Sequence, residues 1–468
     1  MKKIFYLAAI LLTQSLYAQQ PKCNCEQTLA KLIYKVETEY PGFSAKTKDT
    51  FMYNGFKDNL TIETKKADEL ACQQILKRYT DFFKDPHLWV GVNGAPFASA
   101  NTPAGTVSSF EVDLNEFQNK VQYAEDKLEG IWTTDGYKIG IKKTSENNYV
   151  GFIISADAAV WKPKEIKFKL FTNGNFEYAL MDKTLKSGSY QYDDAGILFF
   201  DEVSVALVKQ GKKSKVEEAK VAEKLKELEG FYFKQITAKT AVLKLPSFEY
   251  QHLKEIDQLI EQNKTQIENT ENLIIDLRGN PGGTTDAYKK LLPYIMGKNI
   301  RNSGAEFLAT QTYIDNLERY KKTLDKNVST AGTDKNIATL KANLGKFVNF
   351  NGDGELVQIQ EVMPAAKSPK NVVILANKRT GSSAEYFLFI AKQSKKVKLM
   401  GIPSYGALDY GNAYLVDFGC ANYQILMPTY RALRLPDYPI DNIGIQPDVH
   451  LDKSVKDWIS FAVNYLEN

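Results

Sequence analysis

The chain has 468 residues, 43% hydrophobic and 25% charged, with a formal net charge of +4. That length exceeds what one core usually holds, so two or three domains are expected. The near balance of charge argues against electrostatic binding of nucleic acid, because no basic excess is available to neutralise phosphates.

The first predicted element is a leader. Lys2 and Lys3 precede an apolar run from Ile4 to Leu12, and Ala18 offers a small residue for cleavage before Gln19. This pattern predicts a secretory signal peptide over 1–18, with a run too short to span a bilayer. The mature protein is expected to be exported, periplasmic or extracellular, with no transmembrane segment. In that oxidising setting the four cysteines, Cys23, Cys25, Cys72 and Cys420, point to disulfides, with Cys72 as a partner of the early Cys-x-Cys pair. A metal site is not expected, since there are three histidines and none neighbours a cysteine in sequence.

Residues 19–126 read as helical, with Leu29, Leu32, Ile33 and Val36 at i, i+3, i+4 and i+7. From 127 to 210 the apolar period changes to two, and short runs such as NYVGFIIS and FEYALM alternate with Gly, Asn and Asp turns. This predicts a small all-β domain, a barrel or a sandwich, in which Trp132, Tyr137 and Trp161 read as core. Residues 211–229 form a charged connector. From 230 to 468 strands and helices alternate, which predicts an α/β core, a mixed sheet with flanking helices and parallel neighbours. A polar, Lys- and Asn-rich insertion at about 300–368 is expected to be helical and on the surface.

Two strand ends in this core carry chemistry. In NVVILANKRTGSSAEYFLFIA (371–391) a β-branched run is followed by a polar loop, Ser382 and an apolar helical stretch. Ser382 thus falls at a helix N-terminus leaving the carboxyl end of a strand, where unpaired N–H groups and the helix dipole favour developing negative charge. Ser382-x-x-Glu385 is equally a capping box that satisfies orphan donors. The second segment, NLIIDLRGNPGG (272–283), ends in a tight glycine loop whose N–H groups can approach a bound group closely. A turn that merely needs positive φ is the alternative for those glycines. No Gly-Lys-Ser/Thr follows, so it is not a Walker-type phosphate loop.

DLRGNPGG, followed about a hundred residues later by a strand and TGSSAE, resembles the C-terminal processing protease family of serine peptidases, which includes the tricorn core protease. IPSYGALDYG (402–411) resembles the family's Gly-x-Thr-x-Gly stretch, and IDNIGIQPDV (440–449) its Gly-Ile-x-Pro-Asp ending. The likeness covers residues 231–468, with four motifs in family order. It implies an exported serine endopeptidase acting on protein or peptide substrates without cofactor or metal. Ser382 would be the nucleophile, with Ser383 as a lesser candidate for that role. Ser383 and either Gly282 or Gly283 would supply oxyanion N–H groups.

The processing proteases proper carry a lysine base just after the Ser/Thr-aromatic-Gly turn, where this chain has Ala407. A serine without a base is a poor nucleophile. The tricorn-like branch uses histidine in an Asp-x-His element, which resembles Asp85-Pro86-His87 here. His252 and His450 have no such setting. In that pattern an acid before the Gly-Ile-x-Pro-Asp ending orients the imidazole, and Asp441 stands there, with Asp85 and Asp409 as fallbacks. The family's peptide-capturing PDZ module is missing from its usual interval, which the β domain fills. The competing reading is a catalytically inert binding protein on the same fold, taking a peptide or an apolar ligand as the interphotoreceptor retinoid-binding proteins do. Ala407 and Pro86 favour it, while Ser382 and His87 oppose it.

Overall fold

Four apolar runs, each buried along nearly its whole length, build the sheet that positions everything else. The computed structural model describes residues 23–468 apart from 93, 98–106, 122, 145–147, 158–159, 182, 212–213, 326, 351–356, 421–422, 453 and 456. The expected signal peptide over 1–18 lies outside the described residues. The strands run in the order Tyr232–Gln235, Thr240–Lys244, Asn272–Asp276, Asn371–Ala376, Val397–Gly401 and Val449–His450. The first pair is antiparallel and the other four pairs are parallel. Such strands stay apolar on both sides because both faces of the sheet are covered. Leu273, Ile275, Val372 and Ile374 face one core with Ile256 and Phe387. Ile274, Val373 and Leu375 face the other, against Ala462 and Val463 of the helix Trp458–Glu467. The result is a mixed α/β fold.

Eight antiparallel strands, from Gly130–Thr134 to Val205–Lys209, close into a barrel with the last strand paired to the first. Closure leaves no unpaired edge. Trp132 and Trp161 are buried in its core, and Tyr137 packs against it. The barrel lies against the loop at the carboxyl end of the strand Asn272–Asp276: a Cβ placed on Gly279 would lie 3.6 Å from Ser204 Oγ. The helix Lys215–Glu229, capped by Ser214, leads from the barrel to the sheet.

Residues 300–368 are more than a helical surface insertion. Helices Gln311–Thr323 and Ala331–Ala342 bury Ile314, Leu317, Ile337 and Leu340 in a small core. Ala305–Leu308 pairs with Tyr430–Ala432, and Ile300–Ser303 pairs with Val357–Gln360. These strands are short and half exposed, so their polar sequences concealed them.

The N-terminal helices Cys25–Glu39, Thr50–Thr64 and Glu69–Asp81 bury Leu32, Val36, Leu60 and Leu76. They share that core with Val416, Ile425 and Met427 from the far end of the chain. The strand Trp89–Val92 continues the docking, pairing antiparallel with Gln424–Met427 so that Val90 opposes Ile425. Two disulfides fix the arrangement. Cys25–Cys72 closes the helical region on itself, and Cys23–Cys420 joins it to the core across a sequence separation of 397.

Candidate active site

The central strand Asn371–Ala376 delivers a loop whose side chains are laced to the neighbouring glycine loop. Asn377 Oδ1 accepts the Gly279 N–H at 3.0 Å, Thr380 Oγ1 donates to Leu277 O at 2.8 Å, and the Gly381 N–H donates to Asn280 O at 2.9 Å. These bonds over-determine the turn and hold Ser382 at φ 52°, ψ −120°. A non-glycine residue there carries about 1–3 kcal/mol of backbone strain. The fully buried Glu385 anchors the same turn. Its Oε2 accepts the Ser382 and Ala407 N–H groups at 2.9 and 2.8 Å, and its Oε1 accepts Ser404 Oγ and the Gly406 N–H, both at 2.6 Å. Glu385 is therefore a brace joining the serine turn to the 404–407 turn. Ala407 is itself buried and offers no base.

The histidine arrives from the N-terminal region. Asp85 folds the turn locally, its Oδ1 accepting the His87 N–H at 2.8 Å and its Oδ2 accepting Tyr40 OH at 2.8 Å. Asn442 Nδ2 donates to Lys84 O at 2.7 Å, tying this turn to the Asp441 loop. The outcome is a distance of 3.2 Å between His87 Nε2 and Ser382 Oγ. A neutral imidazole that far from a hydroxyl can take its proton.

His87 Nδ1 is buried and has no hydrogen-bond partner among the described residues. Of the three aspartates considered for it, two are committed elsewhere. Asp85 holds the His87 backbone and Tyr40, while Asp409 holds Arg434 at 2.6 Å and the Ile440 and Asp441 N–H groups at 2.9 and 3.1 Å. Asp441 Oδ1 accepts the Leu408 and Asp409 N–H groups at 2.7 and 2.8 Å, but its Oδ2 is buried without a hydrogen-bond partner among the described residues. Burial, then the nearby Asp85 and Asp409 carboxyls, push the Asp441 pKa up to about 8. Burial also raises Asp85, against the opposing pull of His87, the Tyr40 hydrogen bond and Lys46.

The glycine loop closes the other side of Ser382. A Cβ on Gly282, at φ 100°, would sit 2.8 Å from Ser382 Cβ and 2.9 Å from Ser383 N, so only glycine allows this approach. The Gly282 N–H donates to Asn280 Oδ1 at 2.9 Å, which removes Gly282 from the expected oxyanion donors. Among the described residues the Gly283 and Ser383 N–H groups donate to no protein acceptor. Among the described residues Ser383 Oγ is buried without a hydrogen-bond partner, and the hydroxyl within hydrogen-bond reach of His87 is that of Ser382.

The other histidines lie apart. His252 packs in a tilted arrangement against Phe231 and approaches Glu255, and His450 is exposed on the terminal strand. Among the described residues no cluster of His, Cys, Asp and Glu fits a metal, and no helix is long and apolar enough to cross a membrane. Sequence reasoning missed the bracing by Tyr40, Glu385 and Asn280. The one local signal was the Ser-x-x-Glu spacing at 382–385.

A family profile described as peptidase family S41 matches residues 239–451. No curated protein matches the chain. Solved structures with a similar course include mature CPAF, at 14% identity and TM-score 0.48, covering 92% of each chain. The photosystem II D1 C-terminal processing protease is 12% identical at TM-score 0.37, covering 92% of this chain and 94% of its own. The tricorn protease is 11% identical at TM-score 0.41, covering 95% of this chain and 36% of its own.

Proposed function

Because the chain belongs, through residues 239–451, to peptidase family S41 and is a hydrolase of the serine-peptidase class, we propose that it is an exported endopeptidase working through Ser382, His87 and Asp441. Ser382 Oγ attacks the peptide carbonyl carbon while its proton passes to His87 Nε2. The carbonyl oxygen becomes an oxyanion held by the Gly283 and Ser383 N–H groups, each such donor being worth about 10²–10³ in rate. His87 then protonates the leaving amine, the C–N bond breaks, and an acyl-serine ester remains. Water, deprotonated by the same imidazole, hydrolyses that ester and returns the proton to Ser382. Asp441 fixes the tautomer with hydrogen on Nδ1 and stabilises the imidazolium.

The observation that carries this reading is the 3.2 Å separation of His87 Nε2 and Ser382 Oγ. It weighs against an inert binder, for which no base need reach the serine. Asp441 Oδ2 and His87 Nδ1 make no hydrogen bond to each other or to any other described residue, and Asp441 is assigned as the orienting acid because Asp85 and Asp409 are committed elsewhere. The leader-like N-terminus and the two disulfides support export. A serine-directed fluorophosphonate is expected to label the wild type and leave Ser382→Ala unlabelled. Equal labelling of the two proteins would overturn the assignment.

A further inference from the structure

One cavity outside the catalytic constellation has chemistry of its own. It is a half-open cavity of about 240 Å³ beside the helix Ser383–Ala391 and the ribbon of Ile300–Ser303 with Val357–Gln360. Two of its lining residues are bonded directly to the proposed machinery. The Tyr386 N–H donates to Ser382 O at 3.0 Å, and the Leu408 N–H to Asp441 Oδ1 at 2.7 Å. The ribbon contributes Asn302 and Gln358, which face each other across the strand pair. Among the described residues neither Asn302 Oδ1 nor Gln358 Nε2, both buried atoms, has a hydrogen-bond partner. The Asn302 amide is oriented by its own NH₂, which donates to Gln360 Oε1 at 3.1 Å. The cavity thus presents one free acceptor beside one free donor, an arrangement native interiors avoid unless something completes it.

We propose that this cavity is a substrate subsite for a carboxamide side chain, that of glutamine or asparagine. Its oxygen would accept from Gln358 Nε2 and its NH₂ would donate to Asn302 Oδ1. The proposal rests on the serine-peptidase reading above and names the substrate class for that site. A carboxylate fits poorly, because it cannot donate to Asn302 Oδ1 and finds no free cation among the described lining residues. Arg434, which lines the cavity, is committed to Asp409 Oδ1, Tyr438 O and Leu408 O, each at 2.6 Å. A cationic side chain meets no free carboxylate there, since Asp409 is held by that same Arg434. An aliphatic side chain would find apolar walls in Phe307 and Phe389 but leave the donor and the acceptor unpaired.

The test digests a peptide library from a denatured proteome with the full-length protein and identifies cleavage sites by mass spectrometry. Wild type, Gln358→Met and Gln358→Glu are compared, each checked for fluorophosphonate labelling of Ser382. At one position relative to the cut, glutamine or asparagine is expected to exceed glutamate and methionine by at least about tenfold, because a site built to hydrogen-bond discriminates strongly against groups that cannot. Gln358→Met should lose that preference with labelling intact, and Gln358→Glu should shift it toward lysine and arginine. Labelled wild type that shows no carboxamide enrichment, favours glutamate over glutamine or cleaves no peptide overturns the subsite. So does an enrichment unchanged in both variants. A wild type that is not labelled at Ser382 overturns the serine reading itself, and the subsite with it.

Discussion

The proposed nucleophile and its base are held in opposite ways. Ser382 is fixed by segments of one sheet, the 277–283 loop, the 377–382 loop and the 404–407 turn, through hydrogen bonds that converge on Asn377, Thr380 and Glu385. His87, 295 residues upstream of Ser382, hangs from a helical region whose attachments include a strand pair, a shared apolar core, the Asn442–Lys84 hydrogen bond and a disulfide. The serine turn is therefore a property of the core alone, whereas the base is a property of docking. Changes that loosen the N-terminal region should leave a well-formed but poorly activated serine.

Asp441 sits on the core side of that boundary and faces the docked turn, so it sharpens the comparison most. Asp441→Asn is expected to lower kcat by about 10²–10⁴-fold while preserving the fold, because an orienting acid matters less than nucleophile or base. With Asp441 raised to about 8, wild-type kcat/KM should climb toward pH 8, and the variant should lose that limb. Stability carries the opposite sign. The folded protein keeps on Asp441 a proton that the unfolded chain releases above about pH 4. This contribution is full below pH 4 and is lost as pH rises through 8. Asp441→Asn should accordingly melt above wild type at pH 8, with the gap closing toward pH 4. A variant that melts below wild type at pH 8 would place the acid in a folding role instead.

A smaller effect is expected at the staple. Replacing Cys23 and Cys420 by alanine should cost about 2–5 kcal/mol of stability in chemical denaturation. Peptide cleavage should fall only a few-fold at 25 °C, since Val90 and Ile425 still pair. Unchanged stability would mean that the strand pair and core carry the docking unaided.

The sequence made some of this legible and hid the rest for identifiable reasons. The mixed α/β core was readable because Leu273–Ile275 and Val372–Leu375 are continuous apolar runs close to glycine or polar loops, and such runs are local. The helices of the insertion were legible, but its strands have no local signal because AEFL and VQIQ gain their strand character from partners elsewhere in the chain. Which cysteine joins Cys420 is set by docking and has no local signature. The choice between Gly282 and Gly283 turned on the side chain of Asn280, whose capture of one N–H no spacing rule reveals. His87 was distinguishable from His252 and His450 only through the resemblance of Asp85-Pro86-His87 to a family element, since nothing near it in sequence points to Ser382.

The dependence of the serine on that distant histidine can be measured without any knowledge of the substrate. The second-order rate of fluorophosphonate labelling at Ser382 should be determined at pH 8 for the wild type and for His87→Ala. The account predicts labelling slower by about 10²–10⁴-fold in the variant, the range general-base assistance supplies, with the circular dichroism spectrum unchanged. Equal labelling rates in the two proteins would contradict it, leaving Ser382 activated by something other than His87.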